Sequence, residues 1–352
     1  MIKILITGGA GFIGSAFVRK AEKKKNFKIL ILDKLSYSSD LRNIKSALKN
    51  KNCILKKIDI CNFKSLKSSL FKFSPDIVLN FAAESHVDRS IDDNKPFIET
   101  NIIGTYNLLE SFRLYLKKID KKKIKYKKFV QVSTDEVYGD LKKGNFFTEK
   151  TKYDPSSPYS SSKASSDLLV NAWSKTYNLP TVITNCTNNY GPYQHPEKLI
   201  PHMIISALCG QKLPIYGNGL QVRDWIHVDD HVSALFKIIL NKKISIQYNI
   251  GANNPLKNIT IVKKICKILD IYFKRNLNNS FALQISYVED RPAHDTKYQV
   301  SARKIMRELN WKPKKSFNKH IEETIKWYLE NKIWWNSKIN KNYKLKRIGR
   351  IK

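Results

Sequence analysis

No apolar run in the chain approaches the roughly 20 residues that a membrane-spanning helix needs, so the sequence does not read as a membrane-spanning protein. Met1-Ile2-Lys3-Ile4-Leu5-Ile6 runs straight into glycines, without the charged, apolar and small-residue order of a signal peptide, and reads as a buried strand and not a leader. The expected compartment is the cytoplasm. Cysteines number five (Cys53, Cys61, Cys186, Cys209 and Cys266), an odd count without C-x-x-C spacing, which excludes a complete disulfide framework and predicts reduced, buried thiols. Acidic residues are scarce, 30 against 64 Lys plus Arg, for a formal charge of +34. Such an excess suits nucleic acid or an anionic membrane surface. Yet dense basic runs occur only at residues 117–128 and 338–352, and neither interleaves the aromatics of a single-strand binding platform. Lys, Asn and Ile are abundant throughout, so most of the charge reads as solvated surface, with no nucleic-acid and no membrane partner expected. Internal repeats are absent too.

What is present is enough for a large core: 352 residues, 42% hydrophobic and 27% charged, an ordinary globular balance. Apolar runs at 2–7, 28–33, 53–58, 77–81, 128–133 and 181–185 alternate with helical patterns, notably at 12–24, 97–116 and 160–177. Short continuous apolar strands between helices predict a parallel sheet buried on both faces. The fold class is therefore α/β, a Rossmann-type doubly wound parallel sheet with a smaller C-terminal substrate-binding lobe. The expected division is 1–185 for the dinucleotide-binding domain, with late elements near 223–252 returning to it, 186–335 for the second lobe, and 336–352 as a disordered basic tail.

The first strand runs into Thr7-Gly8-Gly9-Ala10-Gly11-Phe12-Ile13-Gly14 and then a helix. Glycines at a strand-to-helix turn let a pyrophosphate approach free N–H groups at the positive end of the helix, so Gly8, Gly11 and Gly14, with Phe12 and Ile13 between, form a candidate phosphate-binding turn. Asp33, about 20 residues on at the end of the second strand, is placed to accept hydrogen bonds from ribose hydroxyls and to repel a 2′-phosphate. NAD is favoured over NADP, a preference that Lys34 next door softens. Asp59-Ile60 and Phe81-Ala82-Ala83 end the third and fourth strands, where an open parallel sheet presents its carboxyl edge to a cofactor.

Tyr159 and Lys163 stand one helical turn apart on one face. A free tyrosine, with a pKa of about 10, is a poor base at neutral pH. A nearby ammonium and a positive nicotinamide ring are expected to lower it, so that Tyr159 takes a proton from a hydroxyl while hydride leaves the same carbon. Thr134, at the end of the strand before, is placed to donate to the same oxygen.

Together these features resemble the extended short-chain dehydrogenase/reductase family, and within it the nucleotide-sugar dehydratases. The resemblance runs from Met1 to about Trp335 and includes Asp33-Lys34-Leu35, the segment from Ala82 to Ser90, Ser133-Thr134-Asp135-Glu136-Val137-Tyr138-Gly139, Pro158-Tyr159 to Lys163, Asn188-Asn189-Tyr190-Gly191-Pro192, Arg223-Asp224-Trp225 and Asp290-Arg291-Pro292. It implies a dTDP-glucose substrate and a tightly bound NAD, regenerated each cycle. Asp135 and Glu136 would then supply the acid and base for eliminating water: Glu136 removes a C5 proton and Asp135 protonates the C6 hydroxyl. The two must differ in protonation, which burial and adjacency could enforce.

By the same resemblance Leu35, Ser36, Ser85, Thr100 and Asn189 join the cofactor set. Ser85 and Thr134 meet the sugar. Asn188, Lys198, Leu199, Arg223, Asn258 and Arg291 to Asp295, including His294, meet the nucleotide or its phosphates, and Pro214-Ile215-Tyr216 the base. Arg223 and Arg291 suit bidentate phosphate contacts. Ala293 stands where the family usually has glycine, which alters the loop if positive φ is required there. His86 and His294 lack further ligands at suitable spacing, so no metal is assigned. The helices at 97–116 and 160–177 correspond to those through which relatives dimerise as a helix bundle, giving a homodimer as the expectation. Two other readings stay open: a UDP-sugar 4-epimerase or a dehydratase for another nucleotide, the epimerase disfavoured by Asp135-Glu136; and a non-catalytic Rossmann protein that binds nucleic acid.

Overall fold

The computed structural model describes residues 1–142, 144 and 146–339. Strands β1 (Ile2–Thr7), β2 (Phe27–Asp33), β3 (Cys53–Lys57), β4 (Ile77–Asn80), β5 (Lys128–Thr134) and β6 (Thr181–Cys186) arise from the apolar runs of the first half. They are followed by β7 (Asn188–Tyr190), β8 (Leu213–Tyr216), β9 (Val222–His227), β10 (Gln247–Ile250), β11 (Pro255–Lys257), β12 (Ile285–Val288) and β13 (Lys297–Tyr298). A parallel seven-stranded sheet has the order β10-β6-β5-β4-β1-β2-β3. Side chains alternate between its faces, and both faces are covered. Ile4, Ile6, Ile29, Ile31 and Leu79 enter one core, while Leu5, Leu30, Leu32 and Val78 enter the other. That double burial is why the strands read as unbroken apolar runs.

The Phe12–Ala21 helix packs with the Val228–Leu240 helix over the first core, where Phe17 and Phe236 stack with centroids 4.6 Å apart. Over the other face lie the Phe63–Phe73, Gly104–Leu116 and Pro158–Tyr177 helices. The last is set by its sequence: Ser157 and Ser160 form a capping box, Pro158 occupies the first turn, and Asn178 ends the helix in the left-handed region. The helix predicted at 97–116 is interrupted. A wider π turn at Ile98–Ile103 precedes Gly104, whose added Cβ would lie 2.5 Å from Ile60 Cδ1. The turn buries Thr100 and Asn101, and the hydrophobic periodicity does not reveal it because the apolar positions continue through it.

Strand order reverses between β1 and β4, so the glycine turn after β1 and Phe81-Ala82-Ala83 after β4 leave the same edge on either side of a crevice. Only Thr187 separates β6 from β7, so one wall of that crevice passes directly into a second lobe. There β11, β9 and β13 form a small sheet with β7 on β9, and β12 pairs with β8. The Leu199–Leu208, Asn258–Tyr272 and Phe317–Glu330 helices enclose its core around Ile204, Ile265, Ile321 and Tyr328. β10, the Val228–Leu240 helix and the Arg303–Leu309 helix share the first core instead. Of the tail expected to be disordered, residues 337–339 are placed against the protein. The Ser337 hydroxyl accepts from Arg42 at 2.5 Å, and Lys338 reaches Asp40 at 3.0 Å; residues 340–352 of that tail lie outside the described residues. Among the described residues no helix is long and apolar enough to cross a membrane.

Candidate active site

Three depressions join into one trough along the carboxyl edge of the large sheet. The first is lined by Gly8, Gly11, Asp33, Lys34, Ser36, Asp59, Ile60, Phe81, Ala82, Ala83 and Thr100. Gly8, Gly11, Phe81 and Ala83 also line the second, which adds Phe12, Ile13, Gly14, Ser85, Thr134, Asp135, Glu136, Tyr159, Lys163 and Asn189. Glu136, Asn188 and Lys198 lead into the third, with Leu199, Pro214, Ile215, Tyr216, Arg223, Asn258, Arg291 and His294. Leu35, Pro292, Ala293 and Asp295 of the predicted site line none of the three. Leu35, with φ +58, turns into the first core. Asp295 is buried behind the wall, where it accepts from Ser156 at 2.5 Å and from Tyr298, while its carbonyl accepts from Arg223.

The glycine turn is built by close approach. Gly8 has φ +66, and a Cβ on it would lie 2.7 Å from Ala82 N; one on Gly14 would lie 2.2 Å from Gly8 O. A Cβ on Gly11 meets nothing nearer than Gly8 O at 3.4 Å, so that face opens onto the trough. No side chain caps the Phe12–Ala21 helix, which leaves its first N–H groups facing the same space. This cradle fits the pyrophosphate of a dinucleotide. Asp33 works harder on the protein than the sequence suggests. Its oxygens accept from the Ala10 N–H (2.9 Å), the Leu35 N–H (2.8 Å) and the Ser39 hydroxyl (2.8 Å), which shapes the turn that a ribose would rest on. Lys34 is drawn off to Glu84 (2.8 Å) and Thr100 (3.2 Å), an arrangement that removes it as an obvious 2′-phosphate ligand. Asn101 fixes the Glu84 backbone through both its N–H and its carbonyl.

At the centre, β5 ends in Thr134 and a short helical turn carries Asp135 and Glu136. The Thr134 hydroxyl accepts from the Glu136 N–H (3.2 Å) and donates to Asp135 Oδ1 (3.3 Å). Asp135 is 1% exposed, and its Oδ2 has no hydrogen-bond partner within the chain. Burial, followed by Glu136 and Asp224, drives its pKa far above the usual carboxylate range. Enclosure raises Glu136 too, but Arg291, Arg223 and Lys198 pull it back. The pair is thereby split: Asp135 holds a proton more tightly than its neighbour.

Tyr159 is buried. Burial, then the Glu136 carboxylate, raise its phenol, with a hydrogen bond to Thr134 working the other way. Lys163 donates to Val132 O at 2.8 Å, and burial lowers its own pKa. The expected lowering combined the Lys163 ammonium with a nicotinamide ring; within the chain alone, burial and the Glu136 carboxylate set the opposite direction.

In the third depression the arginines are already engaged. Arg223 donates to Val222 O and Asp295 O, both at 2.9 Å, and lies over the Tyr298 ring; Arg291 pairs with Asp88 at 2.8 Å. Among the described residues, the buried atoms here without partners are Arg291 Nε, Asn258 Oδ1, Trp225 Nε1 and His86 Nδ1. Sequence reasoning missed Asp88, Glu197, His202, Trp225 and Tyr298, all of which line this depression. Asp88 and Trp225 lie inside the quoted segments Ala82–Ser90 and Arg223-Asp224-Trp225 and could have been found there; the others carry no local signal. Among the described residues no group of three or more His, Cys, Asp or Glu is arranged to hold a metal ion.

The family model described as GDP-mannose 4,6 dehydratase matches residues 5–324. A dTDP-glucose 4,6-dehydratase of Neisseria meningitidis is 46% identical over 352 residues, covering 99% of each chain. Among solved structures, the dTDP-glucose 4,6-dehydratase of Bacillus anthracis in complex with NAD superposes with TM-score 0.84 at 43% identity, covering 96% of this chain and 100% of that one. The Streptomyces venezuelae enzyme of the same name, with NAD and a second ligand bound, gives TM-score 0.87 at 36% identity, covering 96% and 100%.

Proposed function

The chain belongs to the GDP-mannose 4,6 dehydratase family, and from that premise we propose which of its residues carry the reaction and which nucleotide-sugar contacts they make. The activity is dTDP-glucose 4,6-dehydration: dTDP-glucose becomes dTDP-4-keto-6-deoxyglucose plus water, a hydro-lyase reaction with NAD regenerated each cycle. Gly8, Gly11, Gly14 and Asp33 would hold NAD, which when bound would supply the acceptor for the C4 hydride and its donor to C6. Tyr159 removes the C4 hydroxyl proton, with Thr134 holding the oxygen and Lys163 beneath it. The C4 ketone acidifies C5, and Glu136, at the junction of the two clefts, takes that proton. Asp135, sealed in and protonated, gives its proton to the C6 hydroxyl, which leaves as water. A proton then returns to C5. Over one cycle Tyr159 gains a proton and Asp135 loses one, so the water departs with no net change in the site once these two are rebalanced.

The observation that carries this reading is the unequal pair: Asp135 is enclosed beside Thr134, while Glu136 faces both clefts. A 4-epimerase needs only the Thr134, Tyr159 and Lys163 set. Arg291 Nε, Asn258 Oδ1 and Lys198 would meet the diphosphate and nucleoside, and Pro214 to Tyr216 the base. Exposed Ile98 and Ile103 on the π turn, Tyr106 on the Gly104–Leu116 helix, and Leu168 and Tyr177 on the Pro158–Tyr177 helix support a homodimer formed through a helix bundle; the enzyme would act in the cytoplasm, its product feeding a deoxysugar branch such as rhamnose. The decisive experiment supplies dTDP-glucose deuterated at C4: loss of one water with the label at C6 is expected. Unchanged mass with inversion at C4 would identify an epimerase, and turnover confined to another nucleotide would redirect the base assignment.

A further inference from the structure

Behind Lys163 the chain buries a second carboxylate that the reaction itself does not use. Asp167, one helical turn further along the Pro158–Tyr177 helix, is 0% exposed. Its Oδ2 accepts from the Ser133 hydroxyl of β5 (2.6 Å), the Tyr153 hydroxyl (3.1 Å) and the Asn185 amide of β6 (3.3 Å). Those donors are themselves held. Gln247 of β10 donates to Tyr153, Tyr138 and the Asn185 carbonyl, and Asn185 donates to Thr134 O. Three donors converge on one oxygen, an arrangement that favours the ionised form, while Oδ1 has no hydrogen-bond partner at all.

A buried carboxylate persists only beside a cation or a full set of donors, and the buried Lys163, four residues earlier on the same helix, is the cation that acts on it through space, the two side chains making no direct ion pair. Among the influences on Lys163, burial lowers its pKa, and Asp167 heads those that oppose it, with Cys186 of β6 next. Of the other groups facing Asp167, Tyr153 and Tyr138 are neutral phenols raised by burial, and Ser133, Asn185 and Gln247 do not titrate. Burial raises Asp167 to about 6, still ionised at neutral pH.

We propose that Asp167 is a positioning residue: a buried counter-charge, fixed by Ser133, Tyr153 and Asn185, that keeps Lys163 an ammonium inside the water-poor floor of the site. The inference rests on the assignment of Lys163 to the reaction. Without Asp167, Lys163 bears a buried charge with only Val132 O as partner, and its proton is lost at lower pH.

Two readouts test this on the full chain. In the pH profile of kcat, Asp167→Asn should bring the alkaline limb down by a unit or more, so that activity at pH 9 relative to pH 7 falls about tenfold below wild type. Asp167→Glu should restore that limb even where its maximal rate is lower. A uniform loss at every pH, with the limb unmoved, would overturn the proposal. The second readout is a double-mutant cycle in Tm. Lys163→Met leaves Asp167 buried without the cation of its helix, so adding Asp167→Asn in that background should raise Tm by several degrees, although Asp167→Asn alone lowers it. Additive losses would show that the two side chains do not pair. Normal turnover by Lys163→Met would instead remove Lys163 from the mechanism while leaving the Tm cycle to decide the pairing.

Discussion

The two ends of the trough are built on opposite plans. At the dinucleotide end the contact surface is main chain: glycines whose missing Cβ atoms set the shape, an uncapped helix start, and an Asp33 carboxylate already holding three donors of its own loops. At the nucleotide-sugar end the surface is side chain, contributed by separate elements of the second lobe and braced pairwise, as in Arg291 with Asp88, Tyr216 with Asp88, and Arg223 with Asp295 O. Main-chain sites are shaped by packing and leave few polar atoms over, which suits a cofactor that stays. Side-chain sites keep buried atoms such as Arg291 Nε and Asn258 Oδ1 without partners, which suits a substrate that supplies them and then leaves.

Between the two ends sits the Asp135–Glu136 turn, and the largest effect is expected there. Glu136→Gln should lower turnover by roughly 10²- to 10⁴-fold while C4 oxidation continues, seen as absorbance at 340 nm rising by up to one equivalent per site. Completion of the reaction at the normal rate would reassign the base. At the side-chain end, Arg291→Met removes a charge-assisted donor and strands Asp88. KM for dTDP-glucose should rise about 10- to 100-fold, with retained NAD unchanged. Equal losses of NAD and substrate affinity would mean that the two ends are not separable.

Next comes a pair of substitutions at the main-chain end. Gly14→Ala puts a Cβ against Gly8 O and should cost about 1–3 kcal/mol of stability through overpacking. Gly11→Ala meets only an ordinary contact in the protein, so Tm should hold while NAD affinity falls. If both variants lose Tm alike, the Gly11 face is structural and not a pyrophosphate seat. NAD content after purification, read from the absorbance ratio at 260 and 280 nm, follows the cofactor separately.

The same contrast governs what the sequence disclosed. Gly8, Gly11, Gly14 and Asp33 are close in sequence, and their spacing is their geometry, so the turn was readable before any fold was known. The alternating burial of β1 to β6 was readable for a similar reason: a strand covered on both faces leaves an unbroken apolar run. The split between Asp135 and Glu136 was not readable, because it depends on Asp224, Arg223 and Arg291, which arrive from distant segments. Neither was the direction at Tyr159, which burial and then the Glu136 carboxylate raise, nor the engagement of Arg223 by Asp295 O. The π turn at Ile98–Ile103 leaves the apolar period intact and so left no trace in it.

Ala293 is the smallest test, and it lies in the loop between Arg291 and His294. Its φ is +49, in the left-handed region that costs a residue with a Cβ about 1 kcal/mol or more. The family's usual glycine there is consequently a backbone requirement that this chain meets with strain. The position is exposed, and its neighbours are held independently: Arg291 by Asp88 and His294 by Asp290 at 2.6 Å. Ala293→Gly relieves the strain but adds freedom to the unfolded chain, and the two effects partly cancel. A net gain of up to about 1 kcal/mol is expected, seen as a small rise in Tm, with KM for dTDP-glucose unchanged because the side-chain contacts already fix the loop. A fall in KM would show that the strain reaches Arg291, making the loop's backbone part of the substrate site and breaking the division between a main-chain end and a side-chain end.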